Sequence, residues 1–275
     1  MNSARGAAGW TSLPILISAV TFGIVLLLAP SCLASQEPPC HNGSGKAEFL
    51  SHHSGLLVFR AGMTIDADGS PHAYSPVPGA GLDALHNAGS PGHWDGILTD
   101  DGEPVVQGPD DPAPGYYISQ TALEDESQSS RSQRRFVNSE EIPYISLPRC
   151  ISGPRLGDVA IVVNSHNGRW SPAILADEGP TTGEGSIALA KALDVNADPL
   201  HGGIDGGIVY IVFKKSGIGS AMGTDDMLKI VQDKLADPDI QDSVSDAVGS
   251  ILDVSAMLEP GGGDVQASDT AEPAE

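Results

Sequence analysis

Positively charged side chains are scarce in this sequence. The chain of 275 residues has 14 Lys and Arg against 36 Asp and Glu, which gives a formal net charge of −22. A field of this sign repels polyanions, so nucleic acids and anionic membrane surfaces are poor partners. A polycationic substrate would be attracted. The same acidity also suits simple solubility or a salty or acidic habitat, so it does not establish a cationic ligand by itself.

Several catalytic and metal-binding motifs are absent. The eight histidines are scattered and form neither an HExxH motif nor a zinc-ligand spacing. No G-x-S-x-G nucleophile elbow is present. Residues 183–186 (GEGS) lack the Lys of a phosphate loop and carry an acid where phosphate would lie. We therefore expect no metal, no cofactor and no serine-hydrolase chemistry.

Aromatic residues are also few, at 5% of the chain, whereas glycine (33) and proline (21) are frequent. This composition favours a loop-rich β or mixed domain over a helical bundle. The length is sufficient for one sizeable core with appendages.

The N-terminus has the pattern of a secretory signal peptide. Residues 13–28 form an apolar run, one charge (Arg5) precedes it, and small residues at 32 and 34 allow cleavage before Ser35. We predict a signal peptide over 1–34 and a secreted protein. A lipoprotein processed at its cysteine and an uncleaved membrane anchor remain alternatives.

Only three cysteines occur in the chain. If Cys32 leaves with the signal peptide, Cys40 and Cys150 remain. An even pair in an oxidising compartment predicts one disulfide between them. Two unpaired thiols are the alternative.

Composition divides the rest of the chain into four parts. We predict a linker over 35–54, a β-rich domain over 55–217, an amphipathic helical extension over 218–258 and a disordered acidic tail over 259–275. The extension is expected to pack on the domain; binding a partner, or neither, is the alternative. Within the domain, apolar runs predict strands at 55–63, 116–123, 144–147, 159–163, 170–175 and 208–213, and a helix at 186–193. Residues 70–115 are irregular, and 124–135 is predicted to be a mobile surface loop.

Two acids flank a turn rich in Gly, Pro and Thr within residues 173–193 (AILADEGPTTGEGSIALAKAL). Asp177 follows the predicted strand and Glu184 precedes the predicted helix. This arrangement can hold two carboxyl groups at a fixed separation, as glycoside hydrolysis requires. Each acid alone also has a structural explanation: Asp177 as a residue that hydrogen-bonds its own turn, and Glu184 as an acid that complements a helix N-terminus. We assign Asp177 as the acid and Glu184 as the base, because a helix N-terminus favours the ionised form of Glu184.

A second acidic motif lies at residues 64–69 (TIDADG). Asp66 and Asp68 resemble the start of a calcium loop, but the further acidic ligands and the closing Glu of an EF-hand are missing. A turn or an acidic substrate subsite is the preferred interpretation. A calcium-stabilised structural module is the weaker alternative.

At these motifs the sequence resembles the glycoside hydrolase family 75 chitosanases and their bacterial relatives. The similar pieces span about 55–217, and the longest is ADEGPTTGEGSIALAKAL. The resemblance implies an inverting hydrolase that cuts a chitosan-like cationic polysaccharide, with Asp177 and Glu184 as its catalytic residues. The gap between these acids is shorter than in the fungal enzymes, which leaves the substrate preference open. The expected substrate contacts are Asp66, Asp68, Tyr116, Tyr117 and Tyr144, with Trp94 as a further aromatic platform. Ordinary packing is the alternative for the aromatic residues.

The predicted fold is mainly β (α+β), a single β-barrel-like domain. The order of its elements is similar to that of double-psi β-barrels, which is an analogy only. The leading function is a secreted, endo-acting polysaccharide hydrolase of chitosanase type. The alternative is a secreted carbohydrate- or wall-binding protein without catalysis on the same fold.

Overall fold

The computed structural model describes residues 47–50 and 55–258. They fall within one unit, Glu37–Glu275. The predicted signal peptide, most of the predicted linker and the predicted disordered tail lie outside the described residues. Cys40 also lies outside them, so its disulfide with Cys150 stays a prediction. In the ranges that are described, no helix is long and apolar enough to cross a membrane.

Strands dominate the described residues. They are β1 (Glu48–Phe49), β2 (Leu56–Asp66), β3 (Gly89–Ser90), β4 (His93–Trp94), β5 (Thr99–Asp100), β6 (Glu103–Pro104), β7 (Tyr144–Ser146), β8 (Val159–Asn164), β9 (Trp170–Asp177), β10 (Glu184–Ser186) and β11 (Ile204–Phe213). The α-helices are α1 (Ile187–Ala192), α2 (Thr224–Leu235) and α3 (Pro238–Val248).

Six strands close into a barrel. Their order is β2-β10-β7-β9-β8-β11, and β11 pairs back with β2. The pairs β2–β10 and β7–β9 are parallel, and the other pairs of the barrel are antiparallel. Closure leaves no open edge among these strands. The prediction of a mainly β, barrel-like fold is therefore confirmed at this level.

Side chains on the barrel strands alternate between two hydrophobic clusters, as the two-residue period of a strand requires. One cluster includes Met63, Ile145 and Tyr210, and the rings of Phe59 and Tyr210 stack there with centroids 4.6 Å apart. The other cluster also contains residues of α2 and α3. Helices as long as α2 and α3 have no room inside a six-stranded barrel, so their cluster lies outside it. The first cluster, which Leu189 and Ala190 of α1 join, therefore fills the interior.

Helices α2 and α3 cover part of the outer surface of the barrel. Met227, Val231 and Leu235 of α2 and Val244 and Val248 of α3 are all buried in the outer cluster. Their spacing places them on one face of each helix, as the amphipathic pattern predicted. Residues 218–258 thus pack against the barrel, while the predicted boundary at residue 217 stays a prediction.

A long irregular segment, residues 67–143, connects β2 to β7 and contains the small hairpins β3–β4 and β5–β6. Two buried glutamine side chains form hydrogen bonds that join separate parts of its backbone. Gln133 donates to the carbonyl oxygens of Gly69 and Ser119 and accepts from the backbone N–H of Ser119. Gln107 donates to the carbonyl oxygen of Pro71. The predicted surface loop 124–135 is therefore anchored at its end by a buried residue.

The other predicted elements were mostly found. The strands predicted at 55–63, 144–147, 159–163, 170–175 and 208–213 and the helix at 186–193 are present, with small shifts of their ends. The strand predicted at 116–123 is wrong. Tyr117 and Ser119 form only isolated bridges there. The N–H groups of this segment go to carbonyl oxygens of separate loops, such as those of Tyr74, Val105 and Gly96, and not to one partner strand. A single-sequence pattern does not reveal which distant backbone satisfies a segment.

Candidate active site

Asp177 and Glu184 lie on either side of one residue of β7. Ser146 is the register partner of Asp177 in β9 and of Glu184 in β10. Neighbouring strands lie about 4.8 Å apart, so the Cα atoms of the two acids, two spacings apart, are separated by about 10 Å. Residues in one such row point to the same face of the sheet. The two carboxyl groups therefore leave the barrel wall on the same side.

A register shift at the end of β9 brings Asp177 into this row. Ile145 pairs with Leu175, but Ser146 pairs with Asp177, so Ala176 is an extra residue. Such bulges re-aim the side chain that follows them. Without the shift, the partner of Ser146 would be an alanine.

Asp177 is half-buried and anchored by the backbone of the irregular segment. Its Oδ1 accepts a hydrogen bond of 2.7 Å from the N–H of Ala122. Burial raises the pKa of Asp177 to about 6, while the backbone N–H groups of Ala122 and Glu178 act in the opposite direction and the charge of Glu184 adds to the rise. A carboxyl group of this pKa holds its proton in mildly acidic solution and can donate it.

Glu184 is half-buried on β10. Its Oε1 accepts a hydrogen bond of 2.6 Å from the hydroxyl of Thr181. Burial raises the pKa of Glu184, and the Thr181 hydroxyl opposes that rise by binding the ionised form. The helix begins where the sequence predicted it, and its support for the ionised form of Glu184 stays a prediction. Glu184 begins a strand, two residues before Ser186, which caps α1.

Asp66 and Asp68 join Asp177 in one acidic cluster. Each of the three offers a carboxylate oxygen, and these oxygens lie within 4.8 Å of one another. The TIDADG motif ends β2, and the turn that carries Asp177 and Glu184 leads into β10. Parallel pairing of these strands, in which Asp66 is the partner of Ser186, brings the two motifs together. Burial and then the charge of Asp177 raise the pKa of Asp66, and burial and then the charge of Asp66 raise the pKa of Asp68.

Hydrogen bonds fix the arrangement of the first motif. The N–H of Asp68 donates to Oδ1 of Asp66 at 2.9 Å, and the hydroxyl of Tyr74 donates to Oδ1 of Asp68 at 2.6 Å. Gly69 has a φ of +77°, and a Cβ atom there would lie 1.9 Å from the carbonyl oxygen of Val137. Only glycine fits this position. Three oxygens of this type also suit a hard divalent cation, so Asp66, Asp68 and Asp177 are the residues that could hold one.

The three tyrosines expected at the substrate have different environments. Tyr144 has no exposed surface, and its hydroxyl donates to the carbonyl oxygen of Asp68 at 2.8 Å. A fully buried ring cannot stack on a sugar, so the predicted substrate contact of Tyr144 is wrong. Its hydroxyl instead holds the backbone of the acidic motif in place. Tyr116 is half-buried and donates to the carbonyl oxygen of Ala80. Tyr117 is half-buried and lines a cavity.

That cavity has a volume of about 550 Å³ and lies in the irregular segment. Trp94 and Tyr117 are its aromatic wall residues. Neither Asp177 nor Glu184 lines it. The structure thus brings four predicted acids together at the barrel wall, and it places two predicted aromatic platforms in a separate cavity.

Four residues of the site were not predicted to act there. They are Tyr74, Ala122, Ser146 and Thr181. Thr181 lies inside the longest piece that carries the family resemblance, and Tyr74 follows the TIDADG motif by five residues, so their polar side chains were available as a signal. The contribution of Ala122 is a backbone N–H, which no residue pattern marks.

Comparison with known proteins does not assign the chain to a family. The sequence matches no protein-family model and no curated protein at a significant level. The resemblance to the family 75 chitosanases therefore remains a resemblance.

Proposed function

We propose that this protein is a glycoside hydrolase of the inverting type, with Asp177 as the general acid and Glu184 as the general base. The observation that carries the proposal is the row Glu184–Ser146–Asp177. Inverting enzymes need carboxyl groups roughly 6.5–9.5 Å apart, with room for a water molecule between base and sugar. A Cα separation of about 10 Å with both side chains on one face is compatible with that requirement.

The chemistry follows from the environments of the two acids. Asp177 gives its proton to the glycosidic oxygen as the bond from that oxygen to the anomeric carbon breaks. Glu184 takes a proton from a water molecule, whose oxygen bonds to the anomeric carbon from the opposite face, so the configuration inverts. The raised pKa of Asp177, about 6, supports the acid role, and the Thr181 hydroxyl supports an ionised Glu184.

The substrate class is proposed from charge. A net charge of −22 and the acids at the barrel wall favour a cationic polymer, and chitosan is the common polysaccharide of that kind. We also propose secretion through the N-terminal signal and, for the barrel, the double-psi topology, since two parallel strand pairs interrupt its antiparallel order.

An assay of new reducing ends on chitosan tests the proposal. Wild type should produce them, and Asp177→Asn and Glu184→Gln should each lose at least about 100-fold in rate, the contribution typical of a general acid or base. Matched controls are Asp233→Asn and Glu126→Gln, which remove an exposed acid elsewhere and should keep wild-type rates.

Two outcomes would overturn the proposal. The first is wild-type turnover by either site variant, which removes that residue from the mechanism. The second is binding of chitosan by wild type with no new ends at any pH, which favours the non-catalytic carbohydrate-binding function. NMR of the first anomer released checks inversion, and a retained configuration contradicts the acid and base roles of Asp177 and Glu184.

A further inference from the structure

We propose that the cavity of the irregular segment is a sugar subsite that binds one protonated amino-sugar residue of the substrate, away from the bond that is cut. This inference rests on the proposed hydrolase function, and it names the ligand that the cavity selects. Its walls include Leu85, Trp94, Glu103, Pro104 and Tyr117. A volume of about 550 Å³ lies within the range of small-molecule sites.

The lining chemistry suits such a residue. Trp94 and Tyr117 are half-buried, and both pack against a small hydrophobic cluster that holds their inner edges. Their outer surfaces are available to the apolar face of a pyranose ring. A cation near an aromatic face, above all that of Trp, is attracted by the ring quadrupole. Glu103 adds an exposed carboxylate for an ammonium group. A neutral sugar would keep the apolar contact and its hydroxyl hydrogen bonds, but it would gain no attraction between charges.

Two walls of the cavity lie close to the acidic cluster within the protein. Trp94 stands two residues before Gly96, and a Cβ atom on Gly96 would lie 2.7 Å from Oδ1 of Asp68. Tyr117 donates its N–H to the carbonyl oxygen of Tyr74, whose hydroxyl binds Asp68. Two residues of chain span at most about 7 Å, so Trp94 lies close to the acidic cluster.

Hairpin β3–β4 gives the cavity a fixed wall. Gly89 is paired with Trp94, and a Cβ atom on Gly89 would lie 2.3 Å from the carbonyl oxygen of His93. Gly89 also has a φ of +118°, which only glycine adopts readily. The backbone that carries the indole is therefore held in place before any ligand binds, as expected of a preformed subsite.

Tryptophan fluorescence tests the inference directly. Trp170 is only 4% exposed, whereas Trp94 is partly exposed, so Trp94 is the tryptophan of the described residues that a ligand can reach. The probes are the glucosamine hexamer, the N-acetylglucosamine hexamer and cellohexaose. They are titrated against the full chain carrying Glu184→Gln, so that turnover does not interfere. The same titration with Trp94→Phe added isolates the signal of Trp94.

We expect the glucosamine hexamer to change the fluorescence of Trp94, with at least about 5-fold weaker binding of the other two hexamers, as the cation–aromatic attraction implies. Trp94→Ala should weaken binding of the glucosamine hexamer by a similar factor, measured by calorimetry, and Glu103→Gln should reduce the preference for the free amine. Val77→Ala, which truncates an exposed side chain outside the cavity, should leave binding unchanged.

The result separates this inference from the proposed function. Calorimetric binding of the glucosamine hexamer without a Trp94 signal overturns the subsite, even where wild type hydrolyses chitosan. Equal binding of all three hexamers also overturns it, since selection of the amine is the claim. A Trp94 signal in a protein that never hydrolyses chitosan leaves the cavity as a sugar site and removes the hydrolase.

Discussion

The backbone of Gly179 packs against the carboxylate of Glu184: a Cβ atom built on Gly179 would lie 2.0 Å from Oε2 of Glu184 and 2.7 Å from Oγ of Ser146. The glycine of the turn between β9 and β10 thus leaves the space that this acid occupies. Because the Glu184 carboxylate is the far end of a flexible side chain, an added methyl group should move the acid rather than unfold the turn.

Gly179→Ala is therefore expected to lower chitosan hydrolysis by about 10-fold or more, since small displacements of a positioned catalytic group reduce rates strongly. Thermal stability should change little. Initial rates and melting temperature, measured on the same preparation, check both parts.

The control for this change is Gly206→Ala. Nothing lies within 4 Å of a Cβ atom at Gly206, so the same methyl group should affect neither rate nor stability. Gly96→Ala is the companion variant for the other motif, since it should displace Asp68. Full activity of Gly179→Ala would contradict a positioned role for Glu184.

Tyr74→Phe removes the hydroxyl that binds Asp68 at 2.6 Å. Asp68 loses a hydrogen-bond donor, and leaving such a group unsatisfied costs about 1–3 kcal/mol. We expect the free energy of unfolding in urea to fall by this amount. Tyr116→Phe is the matched control, because its hydroxyl binds the carbonyl oxygen of Ala80 at an exposed position and should contribute less than about 1 kcal/mol. Equal losses of unfolding free energy in the two variants would mean that the hydrogen bond to Asp68 stabilises the protein no more than an exposed one.

Asp177 makes stability depend on pH in a defined direction. Its pKa is about 6 in the folded protein, against an ordinary value of 3.8. Between these values the unfolded chain releases a proton that the folded chain keeps. The contribution of Asp177 to stability is therefore complete below about pH 3.8 and is lost as pH rises through about 6.

The melting temperature of wild type is thus expected to fall more steeply between pH 4 and pH 7 than that of Asp177→Asn. Asp242→Asn, which removes an exposed acid on α3, should keep the wild-type slope and so controls for the general charge of the chain. Parallel curves for wild type and Asp177→Asn would show that Asp177 has no raised pKa in the folded state.

Much of the barrel was predictable because its strands carry strong local patterns. The buried runs of β-branched residues in β8 and β11 predicted strands correctly. Their closure into a barrel was not predictable to the same degree. It depends on the pairing of β2 with β11, which joins Phe59 to Tyr210, and a periodic pattern gives the face of a strand but not its distant partner.

The site was predictable only in its individual motifs. The turn between strand and helix identified Asp177 and Glu184, and TIDADG identified Asp66 and Asp68. Their meeting depends on parallel pairing and on the register shift at Ala176, neither of which has a local signal. Tyr144 failed as a predicted platform because composition does not tell a buried aromatic ring from an exposed one.

The outer helices provide a test of the domain boundary predicted at residue 217. Leu235 of α2 is fully buried in the cluster that joins this helix to the barrel. Leu235→Ala should lower the free energy of unfolding by about 2–5 kcal/mol, the usual cost of a buried leucine truncated to alanine. Asp233→Ala, two residues away on the exposed side of the same helix, should change it by less than about 0.5 kcal/mol. If the helices are part of the same cooperative unit, the transition followed by Trp170 fluorescence in the barrel shifts together with the loss of helical signal. A Leu235→Ala protein whose barrel unfolds at the wild-type urea concentration would instead make residues 55–217 an independent domain, and the helical extension a separable attachment.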